Sequence, residues 1–331
     1  MKNKARLLLL LALLLSLAIP FLVPSGAMLY DHKSRLLEET WEMEEDEAEE
    51  GGLINWLLPR ASAEALTEYA LPFDFSPGPP PDPAAFTPDG YVDDSIEVRL
   101  ETLEQDGVVY RIAHVLIAHP SQLRTATAGK PTSSRVALIS SMAYKNNAVI
   151  AISANYMAND PAKTSFEYRM GEKVRSKLNR SKDLLIIDEN ADFHLFVKSK
   201  KEEVDALLDE GHQIINAFTF GPALVKDGQL LKLDSKYSFN PQGDEPRLAI
   251  GQIAPFNYVL VLAEGRLDNS RGVSHQELAE FMFDIGCMQA FNMDGGNSAT
   301  MVFNGGYYQN KSVNNERAQS DMIYFATGVV R

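Results

Sequence analysis

The chain contains a single cysteine, Cys287, among its 331 residues. One thiol cannot close an internal disulfide, and it cannot build a zinc site made of several cysteines. Basic residues are also scarce, since 31 lysines and arginines stand against 45 acidic residues and the formal net charge is −14. Binding to a polyanion requires clustered lysine and arginine side chains. We therefore expect no nucleic acid partner, and we interpret Cys287 as a buried core residue.

Histidines at metal-binding spacings are absent too. Four of the histidines occur at neither the HxH nor the HExxH spacing that is typical of metal sites. They are His114, His119, His194 and His212. An oxygen-rich site of Asn292, Asp294 and Asn297 would contribute only one carboxylate, and that gives weak calcium binding. We predict neither a metal site nor a cofactor.

The N-terminal residues have the composition of an export segment. Lys2, Lys4 and Arg6 precede an apolar run at residues 7–23, and small residues follow it as far as Ala27. This order is typical of a secretory signal, and the run also reaches the lower length limit for crossing a bilayer. We predict that residues 1–27 are a signal peptide or signal anchor. The remainder would then be extracytoplasmic, either secreted or anchored to the membrane through this segment.

Residues 28–90 contain too few apolar side chains in the right places to form a core. Nine of the thirteen residues at 38–50 are acidic, and six prolines lie between positions 77 and 88. Acidic blocks repel themselves, and closely spaced prolines favour extended geometry that does not join a sheet. We predict an acidic, proline-rich linker or stalk over residues 28–90 and one globular domain over residues 91–331.

The globular part mixes the two apolar periodicities. Alternating or continuous apolar runs predict strands at residues 96–103, 108–118, 148–152, 184–187 and 193–197. Helices are predicted at residues 133–144, 202–210 and 274–285. The last of these has a capping box of Ser274 and Glu277 and a C-terminal stop at Gly286. We expect a single α+β domain with a mixed, mostly antiparallel sheet and packed helices.

Near the C-terminus an apolar strand leads directly into an acid, two glycines and small hydroxyl residues. Asp294 ends the strand, Gly295 and Gly296 allow a ligand to approach the backbone, and Ser298 and Thr300 can donate hydrogen bonds to an anion or a sugar. A tight hairpin explains the same residues, because Asp-Gly is a strong turn signal and the following apolar run resembles a return strand. The motif by itself does not decide between these two interpretations.

Seven blocks of the chain occur in the order typical of one protein family. They are AISANYM (151–157), FTFGPALVKDGQ (218–229), PRLAIGQ (246–252), VLAEGR (261–266), GVSHQELAEFMFDIGC (272–287), FNMDGGNSATMVFNG (291–305) and ERAQSDMIYF (316–325). Over about residues 95 to 331 the chain therefore resembles the phosphodiester glycosidase family, whose NAGPA-like domains are related to N-acetylglucosamine-1-phosphodiester alpha-N-acetylglucosaminidase and to bacterial exopolysaccharide-associated proteins. The resemblance implies a hydrolase that cleaves sugar-1-phosphodiesters, such as GlcNAc-1-phosphodiesters, in surface polysaccharides or their fragments.

That reaction needs a carboxylate and a cation. A carboxylate must stabilise the oxocarbenium-like carbon, and we consider Asp294 first, Glu264 second and Asp321 third. The phosphomonoester that leaves has a second pKa of about 6, so a cation can replace the strong general acid of an ordinary glycosidase. We predict that Arg247 and Arg266 supply this cation. Glu264 could instead be a structural partner of Arg266.

The resemblance implies further contacts to a sugar-phosphate or cell-surface glycan, made by Ser153, Asn155, Gly221, Pro222, Gly295, Gly296, Asn297, Ser298, Thr300, Arg317 and Asp321. Arg317 could bind phosphate or hold Asp294 in place. Ser153 and Ala154 depart from the family, which commonly has asparagine and glycine there, and Asn297 stands where a third glycine is common. Glu264 stands where the family usually has aspartate. The departures at Ser153, Ala154 and Glu264 support an alternative function, a non-catalytic glycan-binding or envelope and exopolysaccharide assembly module.

Overall fold

Antiparallel strand pairing, with few helices, builds the part of the chain that the computed structural model describes, residues 73–155, 165–311 and 316–328. These residues all fall within one compact unit. The predicted export segment, residues 1–27, and the first part of the predicted stalk, residues 28–72, lie outside them. No helix in the described ranges is long and apolar enough to cross a membrane.

Nineteen strands lie in the described ranges, and most are short. In chain order they are β1 (Phe86–Thr87), β2 (Gly90–Val92), β3 (Ile96–Gln105), β4 (Val108–Ile117), β5 (Leu123–Thr127), β6 (Ala148–Ser153), β7 (Phe166–Arg169), β8 (Glu172–Ser176), β9 (Leu184–Asp188), β10 (Phe193–Phe196), β11 (Ile214–Phe218), β12 (Ala223–Lys226), β13 (Gln229–Leu230), β14 (Arg247–Ala254), β15 (Asn257–Ala263), β16 (Gln289–Met293), β17 (Met301–Phe303), β18 (Gly306–Tyr307) and β19 (Asp321–Ala326). The strands predicted at residues 96–103, 108–118, 184–187 and 193–197 are confirmed, and they pair as the hairpins β3–β4 and β9–β10.

The strands form three sheets, and every pairing among the described strands is antiparallel. The largest sheet has nine strands in the order β1-β2-β3-β4-β15-β14-β16-β12-β13. One five-stranded sheet has the order β10-β9-β11-β7-β8, and the other has the order β18-β17-β6-β19-β5. In the second of these sheets, β6 lies between β17 and β19, so strands from distant parts of the chain pair there.

Three α-helices occur among the described residues: α1 (Ile139–Lys145), α2 (Lys201–Asp209) and α3 (His275–Asp284). The capping box predicted at the start of α3 is confirmed, because Ser274 and Glu277 exchange both hydrogen bonds, and Gly286 follows the helix with a φ of +87°. Helix α1 is shorter than predicted. Leu138 precedes it and makes no side-chain capping bond.

The expected α+β fold with a mixed sheet and packed helices is wrong as well. The structure is mostly β-sheet with three short helices, and its sheets are antiparallel. The capping signals of α3 locate the ends of a helix but do not measure how much of the fold is helical. Strands such as β14 and β15 are buried on both faces, and a continuous apolar run of this kind does not distinguish a strand from a buried helix by its periodicity.

The hairpin that was one of the two interpretations of the acid-glycine motif does not form. Strand β16 pairs with β12 and β14 in the nine-stranded sheet, whereas the strand after the motif, β17, pairs with β6 and β18 in another sheet. The chain therefore changes sheets at Asp294. The motif lies where two sheets meet instead of at the tip of a turn.

All three sheets contribute to one hydrophobic core. Val115 and Phe291 come from the nine-stranded sheet, Ile152 and Phe325 from one five-stranded sheet, and Leu185 from the other. Each of these side chains is almost completely buried. Burial of this much apolar area is the main stabilising contribution to the fold.

Residues 73–90, which fall in the predicted stalk, contact the domain. Arg124 donates hydrogen bonds from NH1 to the Asp74 carbonyl oxygen at 3.1 Å and from NH2 to the Phe75 carbonyl oxygen at 3.0 Å. Asn147 Nδ2 donates to the Gly78 carbonyl oxygen at 3.0 Å. Strand β1 extends the edge of the nine-stranded sheet. The boundary at residue 90 stays a prediction, and these contacts make it testable.

We expect removal of residues 1–90 to lower the Tm relative to removal of residues 1–72. The longer deletion removes β1, shortens β2 and leaves the Arg124 guanidinium without two carbonyl partners. Each kcal/mol lost should lower the Tm by about 2–4 °C in a domain of this size. Thermal unfolding of the two truncated proteins measures this. Equal Tm values would show that residues 73–90 add no stability to the domain.

Candidate active site

Asp294 lies where β16 ends and the chain enters a single 3-10 turn. Its N–H donates a hydrogen bond to the Ala154 carbonyl oxygen at 3.0 Å, which ties β16 to the end of β6. A Cβ atom on Gly295 would lie 2.7 Å from the Pro246 carbonyl oxygen, and Gly296 has a φ of +58°. Any larger residue would clash or be strained at these two positions. The glycines therefore allow the close backbone approach that positions the Asp294 carboxyl group.

The Asp294 carboxyl group has an unusual electrostatic environment. Burial raises the pKa of Asp294 to about 6, a hydrogen bond from Ser298 and the charge of Arg317 oppose this rise, and the charge of Asp321 adds to it. The Oδ2 atom is buried and has no hydrogen-bond partner among the described residues. Buried polar atoms are normally hydrogen-bonded. A carboxyl group with a raised pKa and a free acceptor oxygen is typical of a functional site.

The small hydroxyl residues of the motif connect the turn to its neighbours. Arg317 is exposed and donates from NH1 to Ser298 Oγ at 3.2 Å. The Thr300 N–H donates to Ser153 Oγ at 3.2 Å, and Lys311 Nζ donates to Thr300 Oγ1 at 2.8 Å. Ser153 and Thr300 are fully buried. These two residues position the backbone, whereas Arg317 keeps its charge at the surface beside Ser298.

Arg169 forms a buried ionic network next to this turn. Its Nε and NH2 atoms donate to Asp321 Oδ2 at 2.9 and 2.6 Å, and its NH1 atom donates to the Ala217 carbonyl oxygen at 2.6 Å. Glu167 Oε2 lies 3.1 Å from NH2, and the guanidinium carbon lies 4.2 Å from the centre of the Phe218 ring. Burial raises the pKa of Glu167 to about 7. One cation therefore holds two buried carboxyl groups together.

Two buried asparagines have unpaired acceptor atoms. Asn155 Nδ2 donates to Glu167 Oε1 at 2.7 Å, and Asn292 Nδ2 donates to the carbonyl oxygen of Gly221, which precedes the cis peptide bond to Pro222, at 2.9 Å. The Oδ1 atoms of both asparagines are buried without a partner in the described part of the chain. Asn155 follows Ala154, and Asn292 lies two residues before Asp294 on the same face of β16. These acceptors match the hydroxyl donors of a sugar.

Arg247 does not have the free donors that a phosphate ligand needs. Its five N–H groups meet His275 Nε2 and the carbonyl oxygens of Phe239, Asn240, Gly243 and Val273. His275 is buried, and burial and the charge of Arg247 lower its pKa to about 3. Arg247 therefore holds the loop before β14 against the start of α3.

Glu264 is also fully engaged. Arg111 Nε donates to its Oε1 atom at 2.7 Å, and the Asn310 N–H donates to the same atom at 2.6 Å. Arg266, the structural partner considered from the sequence, lies elsewhere. These contacts give Glu264 the role of joining β15 to the segment that contains Asn310, and a catalytic role for it stays a prediction.

Arg266 lies at the rim of the turn and is exposed. It forms an ion pair with Glu245, and its NH1 atom donates to Asn297 Oδ1 at 2.8 Å. A Cβ atom on Gly296 would be 3.7 Å from Arg266 NH2. Arg266 is therefore close enough to the Asp294 turn to contact a ligand there, unlike Arg247 with its occupied donors.

Sequence reasoning missed Glu167 and Arg169. In the segment Phe-Glu-Tyr-Arg of β7, charged and aromatic residues alternate, which is typical of a strand with one solvated face. The structure buries both charged residues. Arg169 donates to Asp321 on β19 of the other five-stranded sheet, and Glu167 accepts a hydrogen bond from Asn155, which follows β6 of that sheet. No local signal in the sequence distinguishes these two cases.

The site that results is a carboxyl group in a polar, partly buried setting where antiparallel sheets meet, with an exposed arginine beside it. Residues 146–326, more than half of the chain, match the family described as phosphodiester glycosidase. The chain belongs to the phosphodiester glycosidase family.

Three comparisons place the chain among known proteins. The SPbeta prophage-derived uncharacterized protein YomE of Bacillus subtilis (strain 168) is 30% identical over 125 residues, which are 38% of this chain and 19% of that protein. The matched segment thus spans about a fifth of that relative's length.

The structure of a zebrafish N-acetylglucosamine-1-phosphodiester alpha-N-acetylglucosaminidase catalytic domain, auto-inhibited by its pro-peptide, has a TM-score of 0.55 and 17% identity, covering 80% of this chain and 99% of that one. A hypothetical protein from Synechocystis has a TM-score of 0.50 and 14% identity, covering 72% of this chain and 64% of that one. At these identities the likeness shows a shared fold.

We expect Arg169→Met to destabilise the protein strongly. The change leaves Glu167 and Asp321 buried without their cation, and loss of one partner of a buried pair typically costs about 3–5 kcal/mol. Urea unfolding measures the difference. Lys201→Met, which removes the exposed pair with Asp205, should leave the unfolding midpoint almost unchanged. A midpoint for Arg169→Met close to that of wild type would show that the network does not stabilise the fold.

We expect Asp294→Asn to change how stability depends on pH. Because the pKa of Asp294 is about 6 in the folded protein and lower in the unfolded chain, the folded state binds more protons between about pH 4 and 6. Wild-type stability should therefore fall across that interval as the pH rises. The variant should gain roughly 2 kcal/mol relative to wild type between about pH 4 and 7. A difference that is constant with pH, measured by urea unfolding, would contradict the raised pKa.

Proposed function

We propose that this protein hydrolyses the glycosidic bond of sugar-1-phosphodiesters, with GlcNAc-1-phosphodiesters as the reference substrate. One observation carries the proposal. Asp294 presents a buried, unpaired carboxyl oxygen next to a turn whose Ser298 accepts a hydrogen bond from the exposed Arg317. A negative and a positive group side by side match the two charges that develop when this bond breaks.

Asp294 is assigned to the sugar side of the reaction. As the bond to phosphate lengthens, positive charge develops on the anomeric carbon and the ring oxygen. A carboxylate held in a water-poor site stabilises that charge without having to reorient. The Ala154 carbonyl oxygen and the close backbone approach at Gly295 hold Asp294 in place. Asp294 must be ionised for this role, so activity should fall as the pH drops below about 6.

Arg317 is assigned to the phosphate side. Phosphate needs a cation with donors pointing outward, and Arg317 is exposed and bonded to Ser298. Arg266 can assist from the rim, because it contacts Asn297 in the same turn. Arg247, by contrast, donates its hydrogen bonds to backbone carbonyl oxygens and to His275. The phosphomonoester that leaves has a second pKa of about 6, so no strong general acid is required.

The location and the natural substrate belong to the same proposal. The basic and apolar N-terminus supports export, which would bring the domain to polysaccharides of the cell envelope or their fragments. The unpaired acceptor oxygens of Asn155 and Asn292 suit sugar hydroxyl groups. A glycan-binding module without turnover is the competing function, and the substitutions at Ser153 and Ala154 favour it.

The test compares wild type with Asp294→Asn on a panel of GlcNAc-1-phosphodiesters. The variant keeps the shape of the side chain and removes its charge, so kcat should fall by roughly 10³-fold or more. Binding in the ground state should change little, because other residues hold the phosphate. Asp284→Asn, an exposed carboxyl group at the end of α3, is the matched control and should retain full turnover.

A second comparison separates the two charges. Arg317→Gln should impair turnover of a sugar-1-phosphodiester far more than turnover of an aryl glycoside with a good uncharged leaving group. Equal losses on both substrates would assign Arg317 to positioning Asp294 instead. A folded Asp294→Asn with wild-type turnover would end the catalytic assignment. A wild type that binds the panel but cleaves no member would favour the binding module.

A further inference from the structure

Asp188, His194 and His212 form a cluster that the function proposed above does not use. Strand β9 ends at Asp188, β10 carries His194, and His212 precedes β11 after helix α2. Asp188 Oδ2 lies 2.9 Å from His194 Nε2 and 2.8 Å from His212 Nδ1. The ligand atoms of the three residues all lie within 4.8 Å of one another. Two imidazole nitrogens therefore converge on one carboxylate oxygen.

The surroundings hold this arrangement in place. The N–H groups of Asn190 and Asp192 both donate to Asp188 Oδ1 at 2.9 Å, which leaves Oδ2 facing the two rings. Outer hydrogen bonds of this kind orient the ligands of metal sites. Glu189 Oε1 lies 3.9 Å from His212 Nδ1 and adds negative charge.

Access and geometry suit a metal ion. Asp188 is completely buried, whereas the His194 and His212 side chains are 25% and 29% exposed. Solvent can therefore reach the open side of the cluster. Zinc binds imidazole nitrogen and carboxylate oxygen at about 2.0–2.2 Å, so ligand atoms around a tetrahedral ion lie about 3.3 Å apart. The two Asp188–histidine distances would widen by about half an ångström to reach that spacing, and the two imidazole nitrogens already lie within 4.8 Å of each other.

We propose that Asp188, His194 and His212 bind a Zn²⁺ ion, with water in the fourth position. Nitrogen and oxygen ligands in this number are typical of zinc and neighbouring transition metals, and less so of calcium or magnesium, which require more oxygen atoms. The ion would join the end of β9 and the start of β10 to the residues just before β11. Near the other end of β11, the Ala217 carbonyl oxygen accepts a hydrogen bond from Arg169. The zinc site thus stabilises the sheet that carries the Arg169 network.

The test uses the full-length chain without an affinity tag, stripped with a chelator and then titrated with Zn²⁺ against a chromophoric competitor. Wild type should bind one ion per chain. His194→Gln and His212→Asn retain a side-chain amide that can donate to Asp188, but they remove the imidazole ligand. Each should weaken binding by roughly 100-fold or more, since loss of only an outer partner costs about 10–100-fold. His114→Gln, on β4 and outside the cluster, should still bind one ion.

Thermal unfolding gives a second measurement that does not depend on activity. Zn²⁺ at about 100 times its Kd should raise the wild-type Tm by roughly 5 °C or more. It should not raise the Tm of either ligand variant, and Ca²⁺ or Mg²⁺ should not substitute for it. The proposal is overturned if wild type binds no Zn²⁺ stoichiometrically, or if both ligand variants bind it as tightly as wild type does. The three residues would then form only a hydrogen-bonded turn.

Discussion

The structure depends on how it buries the Arg169 guanidinium. Strand β7 carries Arg169 in one five-stranded sheet and β19 carries Asp321 in the other, so the two hydrogen bonds between them join the sheets. A buried charge is tolerated only when a partner of opposite charge and further hydrogen bonds satisfy it. Glu167 completes the network, and Asn155 connects it to the end of β6. The neighbouring Ala154 carbonyl oxygen then accepts the N–H of Asp294, the centre of the candidate site.

Residues whose polar atoms are all hydrogen-bonded within the protein differ in role from residues that keep an unpaired or exposed polar atom. Arg247 and Glu264 are buried and fully engaged, and they hold loops around β14 and β15. Asp294 keeps an unpaired oxygen, and Arg317 lies at the surface. Leaving a buried oxygen unpaired costs stability, which a protein tolerates where a ligand later supplies the partner. This contrast separates Asp294 and Arg317 from Arg247 and Glu264, whose polar atoms are occupied by the protein itself.

The five-stranded sheet containing β11 connects two polar regions. The Arg169 network meets β11 at Ala217, and the proposed zinc cluster lies before its first residue, at His212. Apolar packing alone does not determine the register of such short strands or the separation of their ends. Polar groups at both ends of the sheet restrain them, one through a buried ion pair and the other through a carboxylate shared by two histidines.

The sequence by itself determined the local features, because their causes are local. The capping box of α3, the β3–β4 and β9–β10 hairpins, and the acid-glycine motif at Asp294 can be predicted from neighbouring residues, as can membership of the family. Only the tertiary structure decided that the fold is mostly β, that Arg247 has no free donor, and that Arg169 meets Asp321. Short strands buried on both faces have no distinctive periodicity, and a charged side chain that pairs across two sheets looks solvent-exposed in its own segment. Long-range contacts of that kind arise only when the sheets pack.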